Sequence, residues 1–306
     1  MKPSWMVLPA ALALLASSAL IAQSRFRADV DLVSLAVTIA HDEGQPVTDL
    51  EQHDFEIYED GQLQSVRYFA RGAESGKEVP LRLALLFDTS GSMGQDIRLS
   101  RTSAIKFLNA MPHAEDMTLV EFDTEVRLSR YSQDDFARLV ERIRGRKPFG
   151  FTALYDALGT YLAGASELDG RKVLIIYTDG GDTRSSMSWS ETLGLLKASD
   201  VTIHSIGFLE HQSAAAQFAQ KRQLQQIAEI TGGRAFFPRD GKDVDLAYDS
   251  ILAELEAQYV MGYISTNPRM DGRWRKVEIK VKRPELKRAQ IRTRPGYFAR
   301  RRETVP

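Results

Sequence analysis

The side chains best suited to chemistry carry oxygen and come directly after apolar runs. Asp88-Thr89-Ser90-Gly91-Ser92 follows an apolar run over residues 81–87, and Asp179 follows another over residues 173–177. A third string, Gly150-Phe151-Thr152-Ala153-Leu154, opens a helical pattern. The residues in these strings that offer a carboxylate or a hydroxyl group are Asp88, Ser90, Ser92, Thr152 and Asp179. Such hard oxygen ligands suit Mg²⁺, Mn²⁺ or Ca²⁺, so the strings predict a divalent-cation site if the fold brings them together.

Each string also has a simpler interpretation. Ser90 and Thr152 are residue types that cap helix N-termini, and Asp179 before a glycine is common in turns. Gly91, however, allows a tight loop in which both serines face the same way. Because the three strings occur in order at successive strand ends, one cation site explains them together better than three unrelated caps and turns do.

Four largely apolar runs predict strands that are buried on both faces. They cover residues 81–87, 117–122, 173–177 and 201–208, with helical patterns between them and a last helix over residues 244–258. Continuous apolar runs are typical of parallel sheets, and alternating strands and helices predict a Rossmann-like, doubly wound α/β domain. In such domains ligands bind beyond the carboxyl ends of the strands, where the three strings lie.

Segments with period-two alternation flank this domain on both sides. Residues 29–69 alternate, with a hairpin predicted at Asp60-Gly61, and the alternation returns over residues 277–281. Each segment alone would expose an apolar face and bare strand edges. We therefore predict that they pair into one small β-sandwich in which the α/β domain is inserted. The predicted boundaries are residues 25–74 and 259–300 for the two halves of the sandwich and 75–258 for the inserted domain.

The N-terminal residues predict export. Lys2 precedes an apolar run over residues 5–22, and Ala22 and Ser24 are the small residues that a signal peptidase reads. We expect a signal peptide over residues 1–24 and a periplasmic or extracellular protein of the cell envelope. An uncleaved membrane anchor is the alternative, although the run is slightly short for a span of roughly 20 residues.

Composition and missing motifs exclude several classes of function. The absence of cysteine rules out disulfides, thiolate metal sites and cysteine nucleophiles, and a net charge of −1 gives no support for a nucleic acid partner. The sequence has neither the glycine-rich loops of nucleotide-binding folds nor the Gly-x-Ser-x-Gly elbow of hydrolases. Ser90 stands where an aspartyl-phosphate phosphatase has its second acid, and the five histidines lack zinc spacing. We expect no catalytic residues and a protein that is not an enzyme.

The three strings resemble the metal ion-dependent adhesion site of the von Willebrand factor A (VWA) family. The resemblance implies that Ser90 and Ser92 bind the metal directly, and that Asp88, Thr152 and Asp179 do so directly or through water. The chain beyond the signal segment is also similar to a group of exported bacterial VWA-related proteins. The strings that carry this similarity include Thr152-Ala153-Leu154-Tyr155-Asp156-Ala157-Leu158 and Thr231-Gly232-Gly233-Arg234-Ala235-Phe236-Phe237. Those proteins tend to have a small residue in place of Phe151, whose bulk can narrow the crevice without removing a ligand.

The resemblance and the charges of the ligand set together predict metal-dependent recognition of a protein. Two aspartates balance a divalent ion only if both bind it directly. If one binds through water, the ion stays electrophilic and favours a carboxylate from a partner. We expect an Asp or Glu of a protein partner to complete the site, and membrane contact only through an uncleaved anchor. The alternatives are an envelope structural or assembly protein whose metal stabilises the fold and, less favoured, a metal-dependent hydrolase, for which we identify no general base.

Three further features have a structural and a functional interpretation. Residues 273–302 are rich in Lys and Arg, which predicts either an anionic binding surface or the solvated face of strands, and the alternation favours the latter. Trp189 is either an exposed contact near the metal crevice or a core residue. His204 lies within an apolar run and is interpreted as structural.

Overall fold

The computed structural model describes residues 32–42, 44–71, 79–111, 114 and 116–301, so the predicted signal segment lies outside the described residues. The strands in this part of the chain are β1 (Leu32–Ala40), β2 (Phe55–Glu59), β3 (Gln62–Gln64), β4 (Val66–Arg71), β5 (Leu81–Asp88), β6 (Asp116–Phe122), β7 (Val126–Ser132), β8 (Arg171–Thr178), β9 (Thr202–Gly207), β10 (Ala235–Phe236), β11 (Tyr259–Ile264), β12 (Trp274–Val281), β13 (Gln290–Arg292) and β14 (Gly296–Phe298). The helices are α1 (Ile97–Asn109), α2 (Phe136–Gly145), α3 (Leu154–Ala165), α4 (Trp189–Ala198), α5 (Ala214–Thr231) and α6 (Gly241–Ala257).

The central sheet has the strand order β10-β9-β8-β5-β6-β7. Neighbouring strands are parallel except β7, which is antiparallel to β6. Alternate residues of β5 enter two separate cores, with Leu83 and Leu85 on one face and Ala84 and Leu86 on the other. Helices α1, α2 and α6 cover the first face, and α3, α4 and α5 cover the second. Burial on both faces explains the unbroken apolar run over residues 83–87 of β5, and the predicted doubly wound α/β fold is confirmed.

Two four-stranded antiparallel sheets combine segments from both sides of the central domain. Their orders are β13-β1-β11-β4 and β14-β12-β2-β3. Leu35 of β1 lies opposite Met261 of β11, and Ile57 of β2 lies opposite Ile279 of β12. All four side chains share one core, so the sheets pack against each other as a sandwich. The predicted pairing of the N-terminal and C-terminal segments is therefore observed, while the domain boundaries given above stay predictions.

Local turns and exposure patterns in the sandwich follow the sequence closely. The hairpin joining β2 to β3 turns at Asp60 and Gly61, whose φ angles of 47° and 82° are the positive values that a two-residue type I′ turn requires. In β12, Val277 and Ile279 are buried while Lys276 and Lys280 are exposed. This alternation supports the solvated-strand interpretation of the basic stretch. No helix in the described part of the chain is long and apolar enough to cross a membrane.

Candidate metal centre

Asp88 ends β5, between β6 and β8, at the carboxyl edge of the parallel strands. Its side chain is fully buried. Oδ1 accepts a hydrogen bond from the backbone N–H of Ser90 at 2.8 Å, and Oδ2 accepts one from the hydroxyl of Thr178 at 2.6 Å. Thr178 ends β8, so the carboxylate is held in place by its own loop and by the adjacent strand.

The two predicted serines connect this loop to the second aspartate. The Oγ atoms of Ser90 and Ser92 lie 3.0 Å apart, and Ser92 Oγ donates a hydrogen bond to Asp179 Oδ1 at 2.9 Å. Asp179 follows β8 directly and is only 1% exposed. The structure therefore places Asp88, Ser90, Ser92 and Asp179 together at one edge of the sheet.

The loop that carries Thr152 joins the same edge through its backbone. The N–H of Gly91 donates to the carbonyl of Gly150 at 3.0 Å, which ties this loop to the serine loop. The N–H of Thr152 donates to Thr183 Oγ1 at 2.9 Å, and the Thr152 carbonyl accepts from the N–H of Thr183 at 2.9 Å. Thr183 belongs to the loop that begins at Asp179. The Thr152 hydroxyl has no hydrogen-bond partner among the described residues, so it is available as a ligand.

Two aspartates that sequence reasoning missed hold the loop after β8 against α3. Asp182 Oδ2 accepts from the N–H of Tyr155 at 3.0 Å, which satisfies a backbone group in the first turn of α3. Asp156 accepts from the N–H of Ser186 at 2.8 Å and from that of Met187 at 2.9 Å. Only their positions in the sequence could have indicated this role: Asp182 follows Gly181 in the Asp179 loop, and Asp156 lies in the first turn of the predicted helix.

The charges at this edge are balanced unevenly. Asp123, which follows β6, receives two hydrogen bonds of 3.0 Å from Arg127. Burial by itself would raise the pKa of Asp123, but the contacts with Arg127 hold it below its usual value. No Lys, Arg or His among the described residues forms an ion pair with Asp88 or Asp179. Two buried carboxylates thus share one site without a compensating cation.

This imbalance is visible in the acidity of both groups. Burial is the largest of the causes that together raise the pKa of Asp88 to about 7; the nearby carboxylate of Asp179 acts in the same direction, and hydrogen bonds from Ser90 and Thr178 oppose it. Burial likewise raises the pKa of Asp179 to about 6, to which the charge of Asp96 contributes. Asp96, another residue that sequence reasoning missed, lies 3.6 Å from Nε2 of His211. The site therefore favours an added positive charge, which a proton or a metal ion can supply.

The donor set fits a hard divalent cation. It offers two carboxylates and three hydroxyl groups, all of them oxygen ligands. In the described part of the chain no cluster of three or more His, Asp or Glu side chains forms a conventional metal cage, so a cation would depend on the hydroxyl groups as well. A bound cation would neutralise the buried carboxylates and present positive charge at the rim of the sheet, where an anionic group of a ligand can reach it.

The structure also shows the environments of Trp189, His204 and Phe151, whose roles the sequence left open. Trp189 is partly buried and packs against Tyr155 with ring centroids 5.5 Å apart and the ring planes tilted by 39°, which supports the core interpretation. His204 is buried, its Nδ1 accepts from the N–H of Arg234 at 3.2 Å, and burial lowers its pKa to about 4, so it is a neutral structural residue. Phe151 is 63% exposed, so its side chain projects towards solvent and is not packed into the crevice.

The raised pKa of Asp88 predicts a pH-dependent stability of the metal-free protein. The folded chain binds this proton more tightly than the unfolded chain, in which the pKa is near 3.8. Between about pH 4 and 7 each unit of pH rise therefore lowers the free energy of unfolding by up to about 1.4 kcal/mol. Asp88→Asn cannot titrate and should lose less stability as the pH rises.

Urea unfolding in EDTA, at about pH 5 and about pH 7.5, measures this effect. Comparing the wild-type protein with Asp88→Asn cancels the contributions of other groups, including His204, whose lowered pKa acts in the opposite direction. We expect the variant to gain stability relative to the wild type by a few kcal/mol at the higher pH. Equal pH dependence of the two proteins would show that Asp88 does not titrate in this range.

The central domain of this chain matches the model of a known protein family. The von Willebrand factor type A domain matches residues 83–249. The uncharacterized protein YwmC of Bacillus subtilis (strain 168) is 24% identical over 206 residues, which cover 60% of this chain and 88% of YwmC. The uncharacterized protein sll0103 of Synechocystis sp. is 26% identical over 149 residues, which cover 46% of this chain but only 35% of that protein. Among solved structures, a von Willebrand factor type A protein from Catenulispora acidiphila is 13% identical, with a TM-score of 0.48 over 92% of this chain and 76% of its own.

Proposed function

Because the von Willebrand factor type A domain matches more than half of this chain, which therefore belongs to that family, we propose that the protein is a metal-dependent protein-binding module. In this proposal Asp88, Ser90, Ser92, Thr152 and Asp179 hold a divalent cation, with Mg²⁺ as the first choice and Mn²⁺ or Ca²⁺ as alternatives. An Asp or Glu carboxylate of a partner protein completes the coordination of the ion. The N-terminal apolar run supports a location in the cell envelope, either periplasmic or extracellular.

The observation that carries this proposal is the uncompensated pair of buried carboxylates beside three hydroxyl groups. Asp88 and Asp179 are both at most 1% exposed, yet their hydrogen-bond partners are neutral: the Thr178 hydroxyl and the Ser90 N–H donate to Asp88, and the Ser92 hydroxyl donates to Asp179. Burying unpaired carboxylates costs several kcal/mol, and a bound cation offsets that cost. Neutral hydroxyl ligands leave the ion with residual positive charge, which favours an anionic ligand from outside.

Binding, rather than catalysis, is the proposed outcome because we identify no group among the described residues that is placed to act as a general base. The side chains next to the two carboxylates are hydroxyl groups, and the buried His204 packs elsewhere, against Arg234. His211 pairs with Asp96 and contacts neither Asp88 nor Asp179 directly. A metal-dependent hydrolase would need a base within hydrogen-bond reach of a metal-bound water.

A chelation experiment separates a binding role from a purely structural one. The immobilised protein is exposed to envelope proteins in Mg²⁺, in EDTA, and in Mg²⁺ after the envelope carboxyl groups have been amidated. We expect capture in Mg²⁺ and its loss under the other two conditions, with Asp88→Asn as the metal-site control. Capture that survives both EDTA and amidation would contradict the proposal. A fall in thermal stability in EDTA with no metal-dependent capture would support the structural alternative instead.

A further inference from the structure

Two exposed phenylalanines stand beside the candidate metal centre. Phe149 is 77% exposed and Phe151 is 63% exposed, and they flank Gly150 immediately before Thr152. Aromatic side chains are enriched in the buried centres of protein interfaces, where they supply much of the binding energy. We call Phe149 and Phe151 the aromatic rim.

The backbone under the aromatic rim is fixed. The N–H of Phe149 donates to the carbonyl of Thr89 at 2.9 Å, and the N–H of Phe151 donates to Thr124 Oγ1 at 3.0 Å. Between them Gly150 has φ 82°, and a side chain at that position would collide with Thr124. The two rings are therefore displayed from an ordered loop, which lowers the entropy lost when a ligand binds them.

An arginine-lined groove lies next to the metal loop on the chain. The groove has a volume of about 620 Å³ and is lined in part by Gly94, Arg98, Arg101 and Arg144. Gly94 is two residues beyond Ser92, so their Cα atoms are at most about 7.6 Å apart. Arg144 is five residues before Phe149. We call this feature the basic groove.

Two of the three arginines in the basic groove carry positive charge that no described residue neutralises, while the third, Arg144, pairs with Glu141 at 3.0 Å. Arg98 and Arg101 form no ion pair among the described residues, and the Nε of Arg101 is buried without a hydrogen-bond partner there. By contrast, the nearby Arg142 donates to Glu121 at 2.6 Å. A guanidinium group presents paired donors that match a carboxylate, so the groove is complementary to acidic side chains.

We infer that the aromatic rim and the basic groove together define the partner: a protein segment whose metal-binding Asp or Glu has an apolar neighbour and further acidic residues close by. The inference rests on the function proposed above and specifies the ligand of the same site. The apolar neighbour packs on Phe149 and Phe151. The additional acids enter the basic groove, where they accelerate encounter and add salt-dependent affinity.

Selection from a phage-displayed library of random dodecapeptides tests this inference. Peptides that bind the full-length protein in Mg²⁺ are eluted with EDTA and sequenced. We expect a shared acidic residue, an aliphatic or aromatic residue within two positions of it, and one or more further acids. Synthetic peptides of the consensus sequence should bind Phe149→Ser/Phe151→Ser roughly tenfold more weakly than the wild type, which corresponds to about 1.4 kcal/mol.

Variants of surface residues in the sandwich provide matched controls. Leu63 is 59% exposed on β3, and Arg67 is exposed on β4. Leu63→Ser therefore removes an exposed apolar side chain, and Arg67→Gln removes an exposed positive charge, both in the sandwich and not at the candidate metal centre. Neither should change peptide affinity. Arg98→Gln/Arg101→Gln should remove the preference for additional acids and flatten the salt dependence, while Mg²⁺ affinity, measured by calorimetry, stays unchanged in all variants.

The possible failures are distinguishable. A consensus with an acidic residue but no apolar neighbour or additional acid would overturn the inference and leave the proposed function intact. Equal peptide affinity of the wild type and Phe149→Ser/Phe151→Ser would show that the aromatic rim does not contact the partner, and would also leave the proposed function intact. An EDTA-eluted pool with no enriched acidic residue from a protein that binds Mg²⁺ would overturn the inference and the acidic-ligand proposal together. A protein that binds no Mg²⁺ in calorimetry would end the proposed function first.

Discussion

Asp88→Asn is expected to weaken Mg²⁺ or Mn²⁺ binding more than roughly 100-fold. Mutation of a residue that only hydrogen-bonds to a metal ligand already lowers metal affinity about 10–100-fold, and Asp88 is proposed to be a ligand itself. The substitution removes a full negative charge and an oxygen ligand from a site that has only two carboxylates. The asparagine keeps an oxygen to accept from the N–H of Ser90, and an amide that can donate to Thr178. The fold should therefore survive, and circular dichroism together with thermal unfolding in EDTA verifies this.

Calorimetric titration with Mn²⁺ and Mg²⁺ measures the effect directly. Asp96→Asn is the matched control, since Asp96 is acidic and near Asp179 but is not in the proposed ligand set. We expect it to change affinity only a few-fold, through the loss of a neighbouring charge. Unchanged metal affinity in a folded Asp88→Asn protein would mean that the cation, if any, binds elsewhere.

The largest expected effect on stability comes from Glu254→Ala. Glu254 lies on α6, is 4% exposed, and contacts two arginines through Oε1. Arg234, which precedes β10, donates at 2.6 Å, and Arg292 on β13 lies at 2.8 Å. The group therefore links the last helix of the central domain to the sandwich. Removing the carboxylate would leave two partly buried guanidinium groups without their shared counterion.

Breaking a buried ion pair by removing one partner typically costs about 3–5 kcal/mol. We expect the lower end of that range, because the Arg234 side chain is 37% exposed and water screens it. Glu256→Ala is the matched control, since Glu256 is exposed on the same helix and should change stability by no more than about 0.5 kcal/mol. Urea unfolding of the three proteins at neutral pH gives the comparison. A similar free energy of unfolding for both variants would show that the cluster does not stabilise the fold.

Local chemistry was enough to predict the main elements of the fold. Strands such as β5 and β8 are buried on both faces, so their central residues 83–87 and 173–177 are continuously apolar and the pattern has one interpretation. The alternation of β12 and the Asp60-Gly61 turn are equally direct, because period two and positive φ each restrict the residue types allowed. Strand β7 was missed, since its side chains are only partly buried or exposed at the sheet edge and carry a weak pattern.

Sequence also predicted that Asp88, Ser90, Ser92 and Asp179 lie together, although not their electrostatics. Asp88 and Asp179 each end an apolar run, and parallel strands place such ends on one edge of a sheet. Asp123 also follows an apolar strand, so position at a strand end alone does not distinguish it from the other two. Only the tertiary structure decides that Arg127 neutralises Asp123 while Asp88 and Asp179 remain uncompensated.

For the surface around the site, too, the sequence gives the residue types, while the tertiary structure decides their exposure and pairing. The residue types of Phe149, Phe151 and Arg101 are plain in the sequence, but aromatic residues are usually buried and arginines usually paired or solvated. Their actual state depends on contacts with distant parts of the chain, such as the hydrogen bonds that the N–H groups of Phe149 and Phe151 donate to Thr89 and Thr124. Periodicity and turn chemistry act between near neighbours and can be read from the sequence. Burial, charge pairing and exposure are set by residues far apart in the chain, so only the folded molecule determines them.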